Sequence, residues 1–153
     1  ALAYKESGLN PNVRSNRGAV GIMQLLPSTG GEVGIRGARL TSLEGSVEAA
    51  CRYMRLILDT YFNDPGMDRL NRHLFALAAY NAGPNRVQAL QAKARERGLD
   101  PNVWFGNVEQ LVANEVGQGP INYVGTIYKY YVAYRFSLPQ VEGKTEAMEA
   151  VQP

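Results

Sequence analysis

The chain has 153 residues, 45% of them hydrophobic and 20% charged, which suits one compact domain with a real apolar core. Its net charge of +2 leaves no electrostatic footprint for nucleic acid, and no apolar run is long enough to span a membrane. Cys51 is the only cysteine, which excludes an internal disulfide. The chain opens five residues before Glu6, in what reads as the end of a helix. The expectation is a mature fragment or an excised domain, with any targeting or anchoring segment outside it.

The first stretch, Ala-Leu-Ala-Tyr-Lys, predicts a helix end. Gly8 suits the left-handed residue that closes a helix, and Asn10-Pro11 stops its continuation. Glu6 then lies in the last helical turn, where the partial negative charge of the helix end disfavours a carboxylate. Apolar neighbours add desolvation, and both effects raise a carboxyl pKa. A carboxyl group protonated near neutral pH can serve as a general acid. The plainer reading of an isolated Glu6 is a solvated surface residue.

A polar loop over 12–18 leads into the apolar stretch 19–26, read as a short buried helical piece. Gly30, Gly31, Gly34 and Gly37 follow, a spacing that fits no phosphate-binding loop because no strand precedes it. Residues 46–62 form the clearest amphipathic helix, with Val47, Ala50, Cys51, Met54, Leu58 and Tyr61 on one face. Cys51 is thereby expected to be a buried small hydrophobe. After a turn at 63–66, a helix is expected over 68–80 and another over 85–97, begun by Pro84 and closed by Gly98. His73, the only histidine, has no cysteine or acidic cluster near it, so no metal site is expected.

Residues 99–106 read as a loop holding the single Trp104, and 107–116 as a helix. A break at 117–120 precedes the last helix, 121–136, whose Val124, Ile127, Tyr131 and Tyr134 are expected to face inward. From Pro139 a polar, frayed tail is expected. The division is therefore a domain over 1–138 and a tail over 139–153. No segment alternates as a strand does, so the fold class is mainly α, with irregular connections.

Chemistry concentrates at the helix breaks. Glu6-Ser7 with Ser15 forms one block, and Gly21-Ile22-Met23-Gln24 a second. Ala79-Tyr80-Asn81-Ala82-Gly83 forms a third, and Tyr123 follows the Gly-Pro break. Gln24 in an apolar piece needs hydrogen-bond partners if buried. Tyr80 and Asn81 have a simpler reading as capping and packing residues.

In this order and spacing the blocks resemble the soluble lytic transglycosylase family, whose members cleave bacterial peptidoglycan on a goose-type lysozyme-like helical fold. The resemblance runs from about Ala3 to Phe136. Its last part, Trp-Phe-Gly-Asn-Val-Glu through Asn-Tyr-Val-Gly-Thr-Ile-Tyr-Lys-Tyr-Tyr, is most similar to membrane-bound F-type members. Those join such a domain to an N-terminal substrate-binding-protein-like domain that this chain does not contain. The resemblance implies that Glu6 is the catalytic acid and base and that Ser15 lies near the acid and the substrate. It implies that Met23 and Gln24 line the sugar groove, that Tyr80 and Asn81 belong to the motif beside the acid, and that Tyr123 is the tyrosine of the final block. That block departs from the family pattern, because Gly119 stands where the family has a substrate-contacting glutamate. Peptidoglycan strands are the implied partner, with no cofactor. The implied location is the bacterial cell envelope, periplasmic, with room for an anchor on a segment outside this chain. The oligomeric state is not readable.

The residues also suggest a mechanism by themselves. Glycosidases ordinarily use two carboxylates flanking the bond. Glu32, Glu44, Glu48, Asp59 and Asp68 all read as solvated positions, leaving Glu6 alone. With one acid, the substrate supplies the nucleophile: the muramic acid 6-hydroxyl attacks its own C1 and a 1,6-anhydro end results. Two alternatives stay open at this point. One is a goose-type lysozyme using water, and the other is a peptidoglycan-binding module with little activity. Trp104 and the late tyrosines are candidates for flat sugar-binding faces, with ordinary packing as the simpler reading.

Overall fold

The computed structural model describes the backbone of residues 1–149 and the side-chain surroundings of residues 1–138. It is helical: α1 (Leu2–Ser7), α2 (Pro27–Glu32), α3 (Gly37–Thr41), α4 (Leu43–Thr60), α5 (Arg69–Ala82), α6 (Pro84–Glu96), α7 (Glu109–Glu115) and α8 (Gln118–Glu149). A wide π-type turn, Trp104–Val108, leads into α7. Among the described residues there is no strand, only two isolated antiparallel bridges, Arg14 to Val20 and Val20 to Leu25.

Local chemistry sets the boundaries. Ser42 caps α4 by accepting from Gly45 N at 3.1 Å, and Asp68 caps α5 by accepting from Asn71 N at 2.8 Å. Pro84 occupies the first turn of α6, where its missing N–H costs nothing. α8 starts earlier than the break over 117–120 suggested, because Pro120 falls in its first turn and only Gly117 interrupts the helix. It also runs on to Glu149, past the expected end at Phe136 and through most of the expected tail; residues 150–153 lie outside the described residues.

The core sits around α5, which packs against α4, α6, α8 and the π turn. Phe62 stacks on Phe75 with ring centroids 5.4 Å apart, and Phe75 meets Trp104 edge-on at 5.4 Å. All three are fully buried. Asn71 locks this corner, donating to Asp68 Oδ2 at 2.7 Å and accepting from Trp104 N at 2.8 Å. Trp104 is therefore a core residue and no sugar platform.

Three further expectations are corrected. The stretch 19–26 is buried from Val20 to Met23 and at Leu25, with Leu26 exposed, and it is not helical, because Gly21 and Gln24 both have positive φ, +76° and +49°, which a right-handed helix cannot accommodate. α4 buries Ser46, Ala49, Ala50, Tyr53 and Ile57, a face rotated from the expected one. α4 packs on α5, whose Ala76, Ala78 and Ala79 are fully buried. Met54 and Leu58 are only partly buried. Cys51 is consequently exposed, beside Met23, Met54 and Leu58 in a shallow recess. On α8, Val124 and Ile127 are buried as expected, but Tyr131 and Tyr134 are exposed. α1 covers α8 as far as Tyr130, which meets Tyr4 edge-on at 5.0 Å, and the later tyrosines lie past that contact.

Candidate active site

α1 ends where the sequence suggests. Gly8 takes the left-handed conformation at φ +62° and donates its N–H to Tyr4 O at 2.9 Å. Glu6 sits in that last turn, partly buried. Tyr123, in the second turn of α8 and 5% exposed, donates its phenol hydrogen to Glu6 Oε1. Burial raises the Glu6 carboxyl above its ordinary 4.5, while the Tyr123 hydrogen bond and the nearby Lys5 charge pull the other way. Burial prevails. The same closeness pushes both neighbouring phenols above their ordinary value: Tyr123 and Tyr80 are raised first by burial and then by the Glu6 charge. Both phenols are thus held in their protonated form near neutral pH.

Tyr80 comes from the last turns of α5, and its hydroxyl donates to Met23 O at 2.8 Å. Tyr53 of α4 backs it, ring to ring at 5.5 Å. With its hydrogen committed to a backbone carbonyl, Tyr80 can offer an incoming group only its lone pairs and ring face.

Met23 belongs to the loop between α1 and α2, which is built on itself. Gln24 donates both amide hydrogens within it, to Val13 O at 2.9 Å and Gly21 O at 2.8 Å. Ser15 Oγ accepts from Ala19 N at 3.0 Å, leaving its own hydrogen to donate. Gly21 is required twice over: its φ is left-handed, and a Cβ there would stand 2.8 Å from Ser46 Oγ. Ser46, fully buried on α4, accepts from Met23 N at 3.3 Å.

The structure thus gathers Glu6, Tyr80, Tyr123 and the Met23 carbonyl. Ser15 and Gln24 shape the adjoining loop and make no described hydrogen bond to Glu6. Asn81 is exposed at the end of α5, and among the described residues its side chain makes no hydrogen bond. Gly119 lies one turn before Tyr123 on α8, and a Cβ there would meet nothing within 4 Å. Sequence reasoning overlooked Ser46 and Tyr53. A serine at a buried helix position is a polar group that needs a partner, and that was the available signal.

Three other carboxylates are held in ion pairs, and Glu32, exposed at the end of α2, lies near enough for its charge to act on Tyr53. Glu48 pairs with Arg39 and Arg52, Asp59 with Arg55, and Glu115 with Lys93 and Arg97. Among the described residues, a groove of about 730 Å³ between α1, α4, α5 and α8 is lined by Leu70, Leu77, Ile127, Tyr131, Arg69 and Arg135. Glu6 is not part of it, and chemistry, not volume, identifies the site.

Residues 1–103 match the family model described as the Transglycosylase SLT domain. The chain is 32% identical over 144 residues to a membrane-bound lytic murein transglycosylase F of Shewanella sediminis, and 34% over 144 residues to that of Shewanella woodyi. Each alignment covers 86% of this chain and 29% of the relative. A Vibrio campbellii protein of the same name is 30% identical over 172 residues, covering 100% of this chain and 31% of the relative. The chain therefore spans about three-tenths of the length of these relatives.

Proposed function

The chain belongs to the Transglycosylase SLT domain family, and on that premise we propose that it cleaves the β-1,4 bond between MurNAc and GlcNAc in peptidoglycan without consuming water. The observation that carries this reading is the single carboxyl group of the site. Glu6 is held above its ordinary pKa between two protonated phenols, and among the described residues no second carboxylate acts on it; Glu32 acts only on Tyr53, behind Tyr80.

Tyr123 occupies Glu6 Oε1 as a hydrogen-bond donor. The acidic proton therefore resides on Oε2, free to face the glycosidic oxygen. Glu6 gives this proton to the departing GlcNAc O4 as the C1–O4 bond breaks. The muramic acid 6-hydroxyl oxygen bonds to C1, and its proton passes to the Glu6 carboxylate, restoring the acid. Bonds and protons balance without water. One carboxyl group suffices because acid and base roles follow one another. An intramolecular nucleophile lowers the barrier by roughly 7–11 kcal/mol in favourable cases. Tyr123 steadies the carboxylate formed midway through the cycle, and the lone pairs and ring of Tyr80 face the developing positive charge at C1. Ser15, Met23, Gln24 and Asn81 frame the glycan on either side of the acid. Gly119 leaves open the position from which the family glutamate reaches substrate, so binding at that subsite is weaker here.

The relatives are named membrane-bound, and among the described residues no helix is long and apolar enough to cross a membrane. We assign the domain to the bacterial cell envelope, on the periplasmic side, working beside further domains of a longer protein. The reaction is tested by mass spectrometry of sacculi digested with the chain. Muropeptides one water lighter than hydrolysis products support transglycosylation, and products that carry that water overturn it in favour of a lysozyme.

A further inference from the structure

The mechanism above uses Glu6 but leaves unexplained what fixes the short helix that bears it. α1 has six residues and no side-chain cap at its start. A helix of that length has no stability of its own, so its last turn is only as well defined as its tertiary ties. The next residue makes one. Ser7 Oγ donates to Ile22 O at 2.8 Å, with its own Ala3 O at 3.2 Å as a second acceptor. Ile22 is buried, and its neighbour Met23 is held from both sides: its N–H by Ser46 Oγ at 3.3 Å, its carbonyl by the Tyr80 hydroxyl at 2.8 Å.

We propose that Ser7 is the positioning residue for Glu6, its hydroxyl clasping the end of α1 to the Ile22–Met23 backbone and so fixing the carboxyl between Tyr80 and Tyr123. The two residues point their side chains to different neighbours: Glu6 to Tyr123 on α8, Ser7 to the loop. Ser7 Oγ makes the only described side-chain hydrogen bond between α1 and the loop that holds Ile22 and Met23. Without it, the turn carrying Glu6 can rotate and admit water. This inference rests on Glu6 being the acid.

The test uses Ser7→Ala and Ser7→Thr, the second retaining a hydroxyl at the same carbon. A misplacement of about 1 Å costs on the order of a hundredfold in rate, so Ser7→Ala is expected to lose about tenfold to a hundredfold in kcat with KM within about twofold. Glu6 loses part of its burial, so its pKa falls, and the high-pH limb of the rate profile, which follows loss of the acid's proton, moves to lower pH. Ser7→Thr restores both. A carbon-13 titration of the Glu6 carboxyl reads the same pKa shift without any turnover. If kcat and the Glu6 titration in folded Ser7→Ala match the parent while only Tm falls, Ser7 is merely structural and the proposal is overturned. If the Glu6 titration moves and Glu6→Gln proves fully active, the clasp stands and the reading of Glu6 as the acid is what fails.

Discussion

Two glutamates of this chain sit at helix ends and are held by side chains from other elements, yet they are driven in opposite directions. Glu6 ends α1 partly buried, meets a neutral phenol, and is raised above its ordinary pKa. Glu115 ends α7 near the surface, accepts from Lys93 Nζ at 2.5 Å with Arg97 at 3.4 Å, and is lowered. A neutral donor supplies a hydrogen bond without a full charge, so it cannot offset the loss of hydration. Two cations near solvent more than offset a small loss. The same residue type becomes an acid in one setting and a fixed anion in the other.

Glu6→Gln breaks the first half of this contrast most severely. The amide oxygen still accepts from Tyr123, but no proton can be given or taken. Turnover of sacculi is expected to fall by about a hundredfold to ten-thousandfold, the range for removal of a general acid–base. The fold should survive, and the pH dependence of stability gives an independent sign. A carboxyl whose folded pKa is raised stabilises the native state at low pH, and that contribution is lost as pH rises from about 4.5 through the raised value. Gln cannot ionise. Thermal scans should therefore show the Tm of Glu6→Gln rising relative to the parent between acid and neutral pH. A flat difference would mean that Glu6 is solvated.

Tyr123→Phe sharpens the contrast. It removes the largest influence holding the Glu6 pKa down and leaves the burial in place. The pKa rises further, so the high-pH limb of the rate profile moves to higher pH, opposite in sign to the Ser7→Ala shift. kcat is expected to drop by about tenfold to a hundredfold, since the carboxylate formed midway loses its charge-assisted hydrogen bond. Steady-state kinetics across pH, with the variant's Tm as a folding control, reads both effects.

What the sequence made legible was mostly local. Gly8 and Pro11 act within a few residues of Glu6, so the turn that carries the acid could be read from adjacent residues. Asp68 and Pro84 likewise mark helix starts through a short-range hydrogen bond or ring geometry, whereas the Ser42 cap, four residues before the expected start at 46, was not read. The Tyr123 bond to Glu6 joins positions 117 residues apart, and nothing in their spacing encodes it; the family motif raised Tyr123 as a candidate, and the fold brings it to the acid. Trp104 in a polar loop looked available for sugar, but Asn71 draws its backbone into the core. Periodicity placed Cys51 inside because large apolar side chains dominated the pattern, whereas the face α4 buries runs through Ser46, Ala49, Ala50, Tyr53 and Ile57. Gln24 carried two readings, loop support and sugar contact. Its two internal hydrogen bonds account for its amide hydrogens, leaving its oxygen for any ligand.

Gly119→Glu asks whether a second carboxylate can be added near Glu6 without reversing the contrast. The site is open, lies in the first turn of α8 and stands four residues before Tyr123. A carboxylate there is favoured by the helix dipole, and replacing glycine favours the helix. The expected result is a fall in KM for glycan strands of about threefold to tenfold, the scale of one net hydrogen bond at an exposed site, with kcat little changed. A fall in kcat instead, with the high-pH limb moved upward, would mean that the added charge reaches Glu6 and not the substrate.

The smallest effect belongs to Glu115. Its partners are Lys93 and Arg97 of the α6 end, and Arg86 also donates to its backbone carbonyl at 3.4 Å. None of these residues touches the Glu6 cluster, so Glu115→Gln should leave kcat, KM and the rate profile within about twofold of the parent, as expected for substitutions remote from the site. Its effect on stability has the opposite pH sign from that of Glu6. A carboxyl with a lowered folded pKa contributes stability present above about 4.5, and that contribution is lost as pH falls through the lowered value. The Tm deficit of Glu115→Gln should therefore appear at neutral pH and close at strongly acid pH. It should also shrink in high salt, because an exposed ion pair is screened. A shift in the Glu6 titration on removing Glu115 would show that the two settings communicate and that local burial alone does not account for the acid.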